Sequence, residues 1–144
     1  MPSLVTERIE SVKAGIVGAG AFTVAELVLF VARSLAVNIF PRLGFNHITI
    51  DLTWMIGLAI GAVSGFLFGV TYRYIIRSDR NSHLNDGAVL AFGLVRGLAL
   101  IEKNLDLSEL LSLGGFVLQS VVCFAIARLV LDLTIARKYI KPFL

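Results

Sequence analysis

The amino-acid sequence predicts an all-α integral membrane four-helix bundle with a glycine zipper on its second helix. Two observations carry that reading. Hydrophobic residues make up 57% of the 144 residues and charged ones 16%, against about 45–50% and 25% in soluble domains. In addition, 21 uncharged residues separate Asp51 from Arg73, and a helix of ~20 apolar residues crosses the ~30 Å hydrocarbon core of a bilayer. Within that stretch Gly57, Gly61, Gly65 and Gly69 recur at every fourth position. Spacing by four places them on one helical face, and small faces let helices approach closely where lipid supplies little drive for association. The chain is expected to form one transmembrane domain.

The first span is expected over residues 14–36, interrupted by Glu26 and ending near Arg33. The second covers residues 52–72. The third is read over 87–105; its apolar part stops at Ile101, so the extension requires Glu102 and Lys103 to reach the interface. The fourth occupies residues 109–136, with Arg128 and Asp132 in its last third. Asp106 or Ser108 is the expected cap of that helix. Residues 1–13 hold Glu7, Arg8 and Glu10 and no apolar core, so a cleavable signal peptide is not expected, although the first span can serve as an uncleaved anchor.

Charge sets the expected orientation. Arg8, Lys13, Arg73, Arg77, Arg80, Arg137, Lys138 and Lys141 fall at one end of the spans, and Arg33, Arg42 and Lys103 at the other. The positive-inside rule then puts both termini in the cytoplasm or its equivalent. The opposite loop, residues 38–51, carries Phe40, Pro41, Phe45 and Ile48 and is expected at headgroup level. Aligned at an offset of 70, Ala21-Phe22 meets Ala91-Phe92, Arg33 meets Lys103 and Glu26 meets Arg96. A duplicated hairpin and chance similarity between apolar segments both account for that.

Glu26 and Arg96 are the sharpest candidates for chemistry. Both fall near the middle of spans that run in the same direction, and an isolated charge there costs at least ~2.5–3.5 kcal/mol. They form either a midplane site for a proton, ion, headgroup or pigment, or a buried pair that fixes helix register. Arg128 and Asp132, spaced i, i+4, read as an interfacial pair. Gly93 and Gly97 on the third helix, with Ala21 and Ala25 on the first, repeat the small-residue spacing, and either set could face the glycine groove of the second helix. Gln119 reads as an interhelical hydrogen-bonding group and Cys123 as a small packing residue.

Other chemistries lack their residues. His47 and His83 both fall in loops, which excludes intramembrane bis-histidine haem ligation. A single cysteine allows no intrachain disulfide and no cysteine cluster. There is no HExxH, nucleophile elbow or phosphate-binding glycine loop, and no basic stripe of the kind that binds nucleic acid. No cofactor or metal is expected.

From Gly69 to Ala99, and chiefly in VTYRYIIR and AVLAFGLVRGL (about a fifth of the chain), the sequence resembles small uncharacterised four-span proteins of cyanobacteria and plastids. The resemblance implies a thylakoid, plasma or plastid membrane and carries no activity and no functional residue. The residues themselves point to a non-enzymatic, multi-pass accessory, assembly or scaffolding component of a membrane complex. Its expected partners are membrane lipids and a larger complex or further copies of itself. The alternative is a small oligomeric transporter or channel with Glu26 and Arg96 at its site; a membrane enzyme ranks third.

Overall fold

The computed structural model describes residues 3–41, 49–76, 81–102 and 110–143. Outside these ranges lie Arg42, Phe45, His47 and Ile48 of the first loop, Arg77 and Arg80 of the second, and Lys103 to Glu109. The expected extension of the third span and the Asp106 or Ser108 cap therefore fall outside as well. The described chain is helical, with four helices and no strand: α1 (Leu4–Ile39), α2 (Leu52–Ile75), α3 (Ser82–Glu102) and α4 (Leu110–Ala136). Three of them, α1, α2 and the stretch Gly114–Ala136 of α4, are long and apolar enough to cross a membrane.

Local chemistry explains the helix ends. Ser3 caps α1, its hydroxyl accepting from the Thr6 amide at 3.3 Å. Asp51 caps α2 by accepting from the Trp54 amide at 2.8 Å. α4 stops in a left-handed turn at Lys138, whose φ is 60°. The Tyr139 amide donates to Thr134 O and the Lys138 amide to Ile135 O, both at 3.0 Å. That double closure is a Schellman motif with lysine where glycine is usual. It folds Ile140 back into the interior, where it is buried.

The helices run up, down, up, down. α1 lies against α2 and α4, α3 lies against α4 and more sparsely against α2, and α1 and α3 stand across the bundle without close backbone approach. The tightest seam is α1 on α2. A Cβ on Gly65 would sit 2.7 Å from Phe22 Cβ and 2.8 Å from Gly18 O, and Gly69 meets the Ala14 backbone just as closely. Gly61 is enclosed by Phe22, Glu26 and Arg96. Gly57 departs from the expected shared face: a Cβ there would meet nothing within 4 Å. The α3 glycines do not face α2. Gly93 packs on Val121 and Gly97 on Val117, both of α4, because α3 leans on α4 rather than on α2. On α1, Ala25 is buried and Ala21 half-buried against the core.

At the centre each helix contributes one phenylalanine. Phe22 of α1 lies 4.7 Å from Phe124 of α4, and Phe68 of α2 lies 5.2 Å from the same ring. Phe92 of α3 closes the set, 5.4 Å from Phe68 and 5.7 Å from Phe124. Tilted and edge-on contacts at these separations suit the aromatic quadrupole. Four residues C-terminal to each ring stands a polar side chain: Glu26, Tyr72, Arg96 and Arg128. Because alternate helices reverse direction, one pair falls on each side of the aromatic layer.

Candidate functional site

On the side of the aromatic layer towards the α1–α2 connection, Glu26 and Arg96 meet. Arg96 Nη2 donates to Glu26 Oε1 at 3.0 Å and to Gly57 O at 3.1 Å. The side chain bridges the bundle diagonally, from α3 past α2 to α1. It passes because Gly61 leaves room: a Cβ there would sit 2.6 Å from Glu26 Oε2 and 2.9 Å from Arg96 Nη2. The Phe22 ring lies 5.1 Å from the guanidinium carbon, within cation–π range. The glycines thus serve two purposes. Gly65 and Gly69 bring α1 and α2 together, whereas Gly57 supplies a carbonyl acceptor.

The pair is not fully satisfied. Glu26 Oε2 is buried and has no hydrogen-bond partner. Among the described residues every hydrogen bond of Arg96 leaves from Nη2, and its Nε and Nη1 have no protein acceptor. Arg96 is 8% exposed and lines two cavities. One, of about 390 Å³, is polar-edged; it reaches from Thr49 and Asp51 past Trp54 to Glu26 and Gln119. The other, of about 680 Å³, is an apolar groove between α2 and α3, walled by Ile56, Ile60 and Ser64 on one side and Ala91, Val95 and Ala99 on the other. Thr53, Gly57, Arg96 and Leu100 border both.

On the other side of the aromatic layer, Tyr72 Oη donates to Asp132 at 2.7 Å. Arg128 pairs with Asp86 of α3 and lies 3.6 Å from Asp132. Arg128 and Asp132 are therefore more than a pair along one helix: one ties α4 to α3, the other ties α4 to α2.

Sequence reasoning missed the most connected polar residue. Arg73, counted among the loop charges, belongs to the last turn of α2 and is completely buried. It donates to the Glu7 carboxylate at 2.5 Å, to Glu7 O at 3.2 Å, to Ser11 Oγ at 2.8 Å and to Lys141 O at 2.9 Å. The Phe143 ring lies 5.8 Å from its guanidinium carbon. Glu10 completes the knot, accepting from Lys13 Nζ at 2.8 Å and from the Lys141 amide at 3.0 Å. Those donors hold the Glu10 carboxyl below the usual carboxylate range. Charge counting could not find this knot. The regularity that was readable is FTVAE, FGVTY, FGLVR and FAIAR, a phenylalanine four residues before a Glu, Tyr or Arg, once in each helix.

Of the remaining candidates, Gln119 borders the polar cavity, Cys123 is buried in the core, and His83 stands in the first turn of α3 with its amide donating to Asn81. No group of three or more potential metal ligands occurs among the described residues. Compared with known protein families, curated proteins and solved structures, the chain matches none.

Proposed function

We propose that the chain crosses the bilayer four times, with both termini cytoplasmic, and acts without covalent chemistry as an accessory, assembly or scaffolding component of a larger membrane complex. The observation that carries this reading is where the surface lies. Only residues 40–51, 76–81 and 103–109 stand between helices. The molecule therefore presents helix flanks, studded with exposed Val28, Val31, Ile60, Val63, Leu94, Leu98, Leu129 and Leu133. Partners of such a surface are met in the plane of the membrane.

A crossing by α3 is supported by its outward leucines and by the cover that Glu26 gives Arg96. The glycine-zipper reading of α2 is supported by Gly61, Gly65 and Gly69 against α1. The cyanobacterial and plastid resemblance favours a thylakoid, plasma or plastid membrane. A second reading, a small oligomeric transporter or channel, is favoured by the polar cavity that reaches Glu26 and Arg96 from the Asp51 end. Purification in mild detergent separates the two. A stoichiometric larger partner is expected; a pure homo-oligomer would instead support transport and overturn the accessory role.

A further inference from the structure

We propose that the turn after α4, residues 137–141, is a binding site for the phosphodiester headgroup of an anionic phospholipid. The proposal rests on α4 crossing the bilayer and is independent of the accessory role. Depth is the first observation. Arg137 lies beyond Phe124 of the central aromatic layer, ~20 Å further along the helix axis at ~1.5 Å per residue. The hydrocarbon core of a bilayer ends ~15 Å from its midplane and the headgroup region ~20–22 Å from it. The turn therefore stands at the level of the lipid phosphates.

Charge is the second. Glu7 and Glu10 of the first turns of α1 are both engaged within the fold, Glu7 by Arg73, and Glu10 by Lys13 and the Lys141 amide. Among the described residues no carboxylate pairs with Arg137, Lys138 or Lys141, and all three are exposed. The turn thus carries a concentrated, uncompensated positive charge. Tyr139, placed among these cations, is 72% exposed and has the amphipathic ring that suits the membrane interface.

Third, the turn is held by its backbone and not by its basic side chains. The Lys138 and Tyr139 amides close it on α4, and Ile140 is buried. The Lys141 amide donates to Glu10 at 3.0 Å, and the Lys141 carbonyl accepts from Arg73 at 2.9 Å. A flexible basic tail would lose conformational freedom on meeting a headgroup, whereas this one is already ordered. A phosphodiester monoanion fits it, since its oxygens accept charge-assisted hydrogen bonds from Arg and Lys. A zwitterionic headgroup would bring its own cation against them.

Native mass spectrometry of the full chain, released from nanodiscs of mixed phosphatidylcholine and phosphatidylglycerol, counts the lipids that stay bound. The parent chain should retain phosphatidylglycerol in preference to phosphatidylcholine. Arg137→Gln, Lys138→Gln and Lys141→Gln together leave every backbone bond of the turn in place and should abolish that preference, at about fivefold per charge removed. Lys138→Gly removes one charge while suiting the left-handed backbone, so its loss of preference cannot come from unfolding. Arg73→Lys keeps the net charge but releases the Lys141 carbonyl, and it should weaken the preference as well. Equal retention of the two lipids by the parent would overturn the proposal, as would parental preference in the triple variant or in Arg73→Lys.

Discussion

Glu26 and Arg96 cannot be judged singly, because each is the other's solvent. Removing one strands the other in low dielectric, and breaking such a pair typically costs ~3–5 kcal/mol. Glu26→Gln and Arg96→Gln should each lower the detergent melting temperature, and the double variant should recover part of the loss. A coupling of about 1–3 kcal/mol is expected for side chains in contact, whereas additive losses would show that they act independently. Arg73 presents a different case. Its donors spread over Glu7, Ser11 and Lys141, a fork that an ammonium cannot reproduce. Arg73→Lys should release residues 141–143, read as faster amide exchange there, with the rest of the bundle unchanged. Acid should loosen the same segment through Glu10. Its carboxyl is held below the unfolded value, so its contribution is complete above that value and fades as pH falls through the folded one. The protection factor of the Lys141 amide, corrected for intrinsic exchange, should therefore fall on acidification and stay constant on the alkaline side. An unchanged protection factor at low pH would remove Glu10 from the clasp.

Among the helices, the α1–α2 seam is set by backbone approach and tolerates no side chain. Gly65→Leu should abolish accumulation of folded protein, and Gly65→Ala should lower the melting point measurably, since even a methyl would stand 2.7 Å from Phe22 Cβ. Gly57→Ala should be nearly silent. Equal losses at Gly57 and Gly65 would contradict this division. The division marks the limit of what was legible. Uncharged length and spacing by four are one-dimensional properties, so the helices and their small faces could be read from the sequence. Which neighbour each face meets depends on the order of helices around the bundle, and that follows from contacts far apart in sequence. Hence Gly93 and Gly97 were assignable to a seam but not to α4. The Glu26–Arg96 juxtaposition was legible because midplane charges need partners. The Arg73 knot was not, because charge at a helix end reads the same whether it points to water or inward.

For the whole molecule, the expected topology puts residues 38–51 opposite both termini. In a Cys123→Ala background, Asn46→Cys should react with an impermeant maleimide from the non-cytoplasmic side only. Labelling solely from the cytoplasm would invert the orientation.

A bundle with charged groups on both sides of its centre is a potential short circuit for any ion gradient held across it. The rings of Phe22, Phe68, Phe92 and Phe124 lie between the Glu26–Arg96 pair and the Tyr72–Asp132–Arg128 group. They act as electrical insulation, because a proton wire needs donors and acceptors within ~3 Å of one another and the rings offer none. Phe124→Ala, at a site with 0% exposure, would open space for water between the two polar layers. Proteoliposomes carrying that variant should dissipate an imposed pH gradient faster than those with the parent chain, even where the variant still folds. Equal leak rates would mean that the barrier lies elsewhere in the bundle. The phenylalanine of each FxxxE, FxxxY or FxxxR motif is then the element that keeps the two polar layers of the bundle apart.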